Sequence, residues 1–270
     1  EYVGRCERID SCGVHYKPND YFQGNNYKIN INKAIHYKNM FTIKSNQLSL
    51  IPEESFKASL KSYESNNFVK FLVGLFGIEI ASQLIKNYFI GTSKHWKGAS
   101  IFWQVDIKGK VRTGKVILYD TSTGKRIRKP SDHITWVHSL MNLKDFELYR
   151  CLFGEHLLID KSKPIAIVES EKTAIIASVY LPQFIWLAAG GKTHFSRGVC
   201  SVLKGRSVTL FPDLQAYDDW IQKATDFSDI GFFQVSDLLQ RSATDAERNQ
   251  GFDLADYLIK FDYNQFQIEL

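Results

Sequence analysis

The sequence has few cysteines, and they are far apart. Its 270 residues include four, at Cys6, Cys12, Cys151 and Cys200. Secreted domains that depend on disulfides are usually much shorter and much richer in cysteine. The count and the spacing therefore exclude a disulfide framework.

Long apolar runs are also missing. No run approaches the roughly 18 consecutive apolar residues of a membrane-spanning helix, and no secretory signal is visible. We therefore expect a soluble, cytoplasmic protein without a membrane partner.

A third absence concerns a nucleotide-binding loop. Gly190-Gly191-Lys192-Thr193 resembles the end of a P-loop, but that loop needs a glycine five residues before Gly191, where this chain has Trp186. The missing glycine argues against a P-loop. We expect the glycines to let a backbone turn approach a crevice, with Lys192 as a candidate phosphate contact.

The charge is unevenly distributed. Net charge is +5, and residues 1–130 hold 21 Lys and Arg against 10 Asp and Glu, whereas residues 131–270 hold 13 against 19. A basic first half joined to an acidic second half fits a protein that binds a polyanion with one part and performs phosphate chemistry with the other. Ordinary solvated surface charge explains the same counts equally well.

Two stretches place an acid directly after an apolar run. Ile165 to Val168 ends at Glu169, and a helical pattern follows over residues 170–180. A second apolar run, residues 206–211, is followed by Asp213. Such runs predict buried parallel strands, and open α/β sheets keep their crevice at the carboxyl ends of the strands. We therefore expect both acids at one edge of a sheet.

Further elements continue the alternation. Residues 184–189 and 230–235 predict two more strands, and residues 216–224 and 252–261 predict helices. Strands alternating with helices over roughly a hundred residues predict an α/β fold, a parallel sheet flanked by helices.

This second half resembles the TOPRIM domain of primases and topoisomerases. The resemblance lies in strand-Glu-helix at Glu169 followed by strand-Asp-x-acid at Asp213. It implies that Glu169 serves as general acid or base and that Asp213 binds Mg²⁺ or Mn²⁺ for phosphoryl transfer. The chain departs from the family pattern at Ser170, where the family has Gly, and at Gln215, where it has the second acid.

Other acids are candidates to compensate for the missing one. The predicted metal ligands are Asp213, Gln215 and Asp218. The pair Asp253 and Asp256 resembles the terminal acidic motif of phage-type primases. The alternative is that these additional acids are helix caps and solvated helix acids.

The N-terminal segment resembles half of a zinc ribbon. Cys6, Cys12 and His15 supply three candidate ligands, where a closed structural site needs four. We expect either a partial Zn²⁺ site, in a fragment whose first cysteine pair lay upstream, or two free thiols.

Residues 51–150 combine helical spacing with a basic hairpin. Residues 68–76 and 78–89 predict helices with a turn at Gly74 and Gly77, and residues 100–107 and 111–119 predict two strands joined at Lys108-Gly109-Lys110. The predicted nucleic-acid contacts are Lys108, Lys110, Arg112 and Lys115.

The hairpin also carries aromatic residues. Basic residues interleaved with Phe102, Trp103 and Tyr119 suit the phosphates and stacked bases of single-stranded nucleic acid. The alternative is that these aromatics face a core. At the first acid-bearing strand-helix unit, Lys172 lies three residues after Glu169 and is a further candidate phosphate contact, since a helix N-terminus favours anions.

Together these features predict three domains and one leading function. The predicted domains are a zinc-ribbon-like segment and linker over residues 1–50, a smaller α+β domain with the basic hairpin over 51–150, and the TOPRIM-like domain over 151–270. The resemblance, which extends to primase-like proteins of bacterial mobile elements, implies a metal-dependent primase-like nucleotidyltransferase. Its partners would be single-stranded DNA, nucleotides and a helicase or relaxase. The alternatives are a catalytically weakened nucleic-acid-binding module and a TOPRIM-type nuclease.

Overall fold

A computed structural model describes Gly4–Arg5, His15–Tyr16 and residues 48–266, with the first two segments and Lys192 described by their backbone alone. The chain divides into two units, residues 1–47 and 48–270. In the first, strands β1 (Gly4–Arg5) and β2 (His15–Tyr16) pair antiparallel. The predicted zinc ligation by Cys6, Cys12 and the His15 side chain lies outside the described residues.

The second unit begins with an antiparallel sheet. Its strands are β3 (Ile90–Thr92), β4 (Ser100–Val105), β5 (Val111–Ile117) and β6 (Ile134–Trp136), hydrogen-bonded in that order. Strands β4 and β5 form the predicted hairpin, with a register shift at Val105. We call its turn, residues 108–110, the hairpin tip.

A four-stranded parallel sheet follows, as predicted. Its strands are β7 (Ile165–Val168), β8 (Ile185–Ala188), β9 (Ser207–Leu210) and β10 (Phe232–Val235), in the order β10-β9-β7-β8. Every residue of β7 is buried, because strands flank it on both edges and elements cover both faces. This burial explains why residues 165–168 are all apolar.

Nine helices accompany the sheets within residues 48–266. They are α1 (Glu53–Ser59), α2 (Asn67–Tyr88), α3 (Val137–Met141), α4 (Glu171–Tyr180), α5 (Arg197–Cys200), α6 (Tyr217–Asp226), α7 (Leu238–Ser242), α8 (Asp245–Gln250) and α9 (Leu254–Leu258). Short 3-10 turns include Lys192–His194. The fold class is therefore the predicted one, a helix-flanked parallel sheet preceded by a smaller α+β region.

Helix α2 contains the predicted break. Gly77 has φ 82° and ψ 169°, so the chain leaves helical geometry there and resumes it. Glycine adopts a positive φ at little steric cost because it has no Cβ, which explains why Gly77 occupies this position.

By length and composition alone, α2 would also be able to cross a membrane. The core helix of a soluble protein passes the same test. Nine of its side chains are buried in the protein core, among them Phe68, Leu72 and Tyr88, so its apolar surface has partners within the chain.

One hydrophobic cluster joins the two sheets. Phe68 and Phe102 of the antiparallel region pack in the same cluster as Phe153, Val168 and Trp186. The two sheets share this core within residues 48–270, and the predicted division near residue 150 stays a prediction. Cys151 and Cys200 are free and buried.

Candidate functional site

A cleft of about 830 Å³ lies between the antiparallel sheet region and the carboxyl ends of β7 and β9. The parallel-sheet region contributes acids, which we call the acid side: Glu169, Asp213, Asp253 and Asp256. Strand β5 and the loop between β5 and β6 contribute cations, which we call the cation side: Lys115, Lys125, Arg126 and Arg128. One cleft therefore presents both charges.

Asp213 is an acid of the cleft whose pKa departs from its ordinary value. Burial, together with the charges of Asp253 and Glu169, raises the pKa of Asp213 to about 8, against the opposing effect of Lys172. Carboxylates crowded in a partly buried site resist ionising together. With all of these acids ionised, the site would hold more negative charge than Lys172 compensates, and a bound cation would favour that ionised form.

Glu169 directly follows β7, where the sequence predicts it. The next residue, Ser170, caps α4, and its Oγ accepts a hydrogen bond from the backbone N–H of Thr173 at 3.2 Å. The cap starts the helix immediately after the strand. Glu169 is thereby held at the mouth of the cleft, on the same edge as Asp213.

Lys172 lies between two other acids of the cleft. Its Nζ is 3.4 Å from Asp253 Oδ2 and 3.2 Å from Asp256 Oδ1. Burial alone would lower the pKa of Lys172, but the two carboxylates raise it above its ordinary value. The predicted phosphate contact is thus already paired with protein carboxylates.

Asp253 and Asp256 are helix caps that also line the cleft. The two side chains form a capping box at the start of α9, and Thr173 Oγ1 donates to Asp253 Oδ2 at 2.8 Å. The capping interpretation is therefore correct, and the part of these two acids in a metal site stays a prediction.

The sequence did not reveal an ion pair that links the two sheets. Lys115 Nζ of β5 is 3.1 Å from Glu171 Oε2 of α4 and donates to the Gly190 carbonyl at 2.8 Å. The two side chains are 10% and 1% exposed, and Glu171 Oε1 has no hydrogen-bond partner among the residues that the structure describes. The pair joins residues 56 positions apart, so local sequence carries no signal for it.

The hairpin cations are not brought together in the cleft. The hairpin tip and Arg112 are absent from its lining, and only Lys115 of the four predicted contacts is present. Arg112 instead contacts Asp106 Oδ2 through Nε and Nη2, each at 2.7 Å. The Asp106 side chain also accepts the backbone N–H groups of Lys108 and Lys110 at 2.9 Å.

The predicted stacking aromatics of the hairpin are core residues. Phe102 and Trp103 are 0% and 1% exposed because β4 is covered on both faces, and Tyr119, which packs against the rings of Phe68 and Phe102, is 5% exposed. Their buried rings are not available to a base, so the core alternative is correct. Trp136, at the end of β6, is half-buried and lines the cleft instead.

The predicted metal ligands are separated. Asp213 lines the cleft, whereas Gln215 and Asp218 line a different cavity of about 300 Å³. Within residues 48–266, no group of three or more His, Cys, Asp or Glu side chains is arranged to hold a metal ion. A cation at Asp213 would therefore draw on few protein ligands and complete its shell from water or substrate.

Two glycines form the turn beside the cleft. Gly190 has φ 80° and Gly191 has φ 143°, and Gly190 N–H donates to the Glu169 carbonyl at 2.9 Å. A Cβ on Gly190 would lie 3.1 Å from Glu171 Oε1. The backbone thus approaches the site closely, as expected, and Lys192 begins the next short turn.

Residues 66–214 match the family described as Domain of unknown function (DUF6371). The chain belongs to this family. No curated protein matches it.

Three of the solved structures that are similar to this chain are primases. The primase fragment of the bacteriophage T7 primase-helicase protein is 16% identical, covers 72% of this chain and 70% of its own, and gives a TM-score of 0.42. The E. coli primase catalytic core is 14% identical, the match covers 70% of this chain and 66% of the core, and the TM-score is 0.37. The zinc-binding and RNA polymerase domains of the Aquifex aeolicus primase are 13% identical. The match covers 70% of this chain and 50% of those domains, with a TM-score of 0.37. These likenesses are too distant to assign chemistry, which rests on the residues of the cleft.

Proposed function

We propose that this chain is a primase-like nucleotidyltransferase that acts on single-stranded DNA in a TOPRIM-type site. The observation that carries the proposal is Asp213, whose pKa is raised to about 8 by burial and by the neighbouring charges of Asp253 and Glu169. A cleft with crowded carboxylates on one side and cations on the other suits a metal-bound phosphate group.

The donor set fits Mg²⁺ or Mn²⁺. Both are hard cations that take carboxylate oxygens, and Mg²⁺ usually keeps waters and uses one or two carboxylates plus substrate phosphates. Asp213 and Glu169 supply such oxygens on one edge of the sheet. When bound, the ion would neutralise charge that develops on the transferring phosphoryl group.

The chain's own residues have distinct roles in this proposal. Glu169 holds or accepts the proton of the attacking hydroxyl, in line with the TOPRIM resemblance. Lys172 holds Asp253 and Asp256 in place through its ion pairs. The cations Lys125, Arg126 and Arg128 contact the phosphates of the strand, with the affinity falling as salt rises.

A binding module without turnover is the second candidate. Within residues 48–266 no three-ligand metal cluster is present, and Lys172 already pairs with both Asp253 and Asp256. In that case the cleft binds single-stranded nucleic acid and ignores divalent ions.

Titration calorimetry with Mn²⁺ and Mg²⁺ separates the two candidates. The proposal predicts saturable binding by the unchanged chain, lost in Asp213→Asn and weakened in Glu169→Gln. Asp218→Asn is the matched control, because Asp218 is an acid outside the cleft, and should bind as the unchanged chain does. A binder would show no metal uptake, with or without nucleotide and strand, yet would keep salt-dependent affinity for the strand.

A further inference from the structure

Trp136 is an aromatic side chain positioned to meet a ligand in the cleft. It is the last residue of β6, and its register partner is Lys115 on β5. Its side chain is half-buried and lines the cleft. Trp103, Trp186 and Trp220 are at most 1% exposed, and Trp96, which is half-buried, does not line the cleft.

A cation already covers part of the Trp136 ring. The Arg150 guanidinium carbon is 4.2 Å from the ring centre, which is a stacked cation–π contact. Arg150 lines a separate cavity with Asp106 and Cys151 and is absent from the lining of the cleft. The guanidinium therefore supports the ring from outside the cleft.

The surroundings fix the ring without filling the cleft beside it. The His194 ring lies 5.8 Å from the Trp136 ring at an angle of 68°, an edge contact. Lys115 Nζ is 5.9 Å from the ring centre but is held by Glu171 and the Gly190 carbonyl. Because His194 contacts the edge of the Trp136 ring and Arg150 lies over it, the ring loses little conformational freedom when a flat ligand stacks on it.

We propose that Trp136 stacks on a nucleobase bound in the cleft. This proposal rests on the proposed function and adds the part of the substrate that the ring recognises. The phosphates of the same ligand would meet Lys125, Arg126 and Arg128. Every base has a flat π face, so stacking gives affinity with little dependence on sequence.

Two ligands present such a base, the bound strand and the incoming nucleotide. The proposal is tested by measuring the affinities of oligothymidylate, an abasic oligomer of equal length, and a nucleoside triphosphate with Mg²⁺. The variants are Trp136→Ala and Trp136→Phe, with Trp96→Ala as the matched control. Trp96 is a half-buried tryptophan of the same region that does not line the cleft.

We expect Trp136→Ala to weaken binding of a base-containing ligand by about 5- to 100-fold. Trp136→Phe should stay within about threefold of the unchanged chain, because a phenyl ring also stacks. Abasic oligomer should bind equally to the unchanged chain and to Trp136→Ala, and Trp96→Ala should change nothing. A loss confined to the oligomer assigns the base to the strand, and a loss confined to the triphosphate assigns it to the nucleotide.

Two results overturn the proposal in different ways. If Trp136→Ala binds both the oligomer and the triphosphate like the unchanged chain, Trp136 does not stack on a base and the proposed function stands. If the unchanged chain binds neither ligand, the proposed function fails and this proposal fails with it.

Discussion

Asp213→Asn should make the protein more stable at neutral pH. Burial, Asp253 and Glu169 raise the pKa of Asp213 to about 8, whereas an aspartate in an unfolded chain titrates near about 3.9. Between these values the native state keeps a proton that the unfolded state has released. Stability therefore falls as pH rises from about 4 to about 8 and levels off outside that window.

The size of the effect follows from the shift. Each pKa unit corresponds to about 1.4 kcal/mol, so the upper bound at pH 7 is roughly 4 kcal/mol. The cleft is open to water, and we therefore expect about 2 kcal/mol. For a chain of this size that raises Tm by about 4–8 °C.

Thermal unfolding followed by circular dichroism from pH 4 to pH 8, without divalent ions, measures this gain. The difference in Tm between Asp213→Asn and the unchanged chain should be near zero at pH 4 and grow up to pH 8. Asp218→Asn, whose side chain lies outside the cleft, should show no such growth. A difference that is absent at pH 8, or the same at every pH, would refute the reasoning.

Three further predictions concern the scaffold and the strand contacts. Lys115→Met should cost about 3–5 kcal/mol in urea unfolding, because it leaves the Glu171 carboxylate buried and unpaired, and adding Glu171→Gln should recover part of the loss. Gly114→Ala should lower the free energy of unfolding by about 1–3 kcal/mol in the same assay, since a Cβ there would lie 2.7 Å from the buried Trp103 ring. Its control is Gly74→Ala, where a Cβ would have nothing within 4 Å. That change should be neutral or stabilising by up to about 1 kcal/mol. Replacing both lysines of the hairpin tip with Gln should leave oligonucleotide affinity and its salt slope nearly unchanged in anisotropy titrations, whereas replacing the cleft-lining Arg126 and Arg128 should weaken binding and flatten the slope.

The parallel sheet was predictable because its signal is local. Ile165 to Val168 form a fully buried strand, and an apolar run records burial on both faces without any knowledge of the partner strands. The positions of Glu169 and Asp213 follow from that sheet, since the carboxyl ends of parallel strands share one edge.

The details of the cleft depend on contacts that are distant in sequence. Lys172 pairs with Asp253 and Asp256, which are more than eighty positions away in the sequence. No local sequence pattern predicts such a pair. The aromatics of β4 show the same limit. All six of its residues are buried, so alternation gave no means of telling Trp103, in the core, from a ring that faces a ligand.

The most direct test of the central claim is incorporation of labelled nucleotides on a single-stranded DNA template with Mg²⁺. The unchanged chain should extend product, Asp213→Asn should not, and Asp218→Asn should retain the activity. Template shortened without added nucleotides would indicate a nuclease. Incorporation that Asp213→Asn leaves intact would contradict the assignment of the chemistry to this cleft.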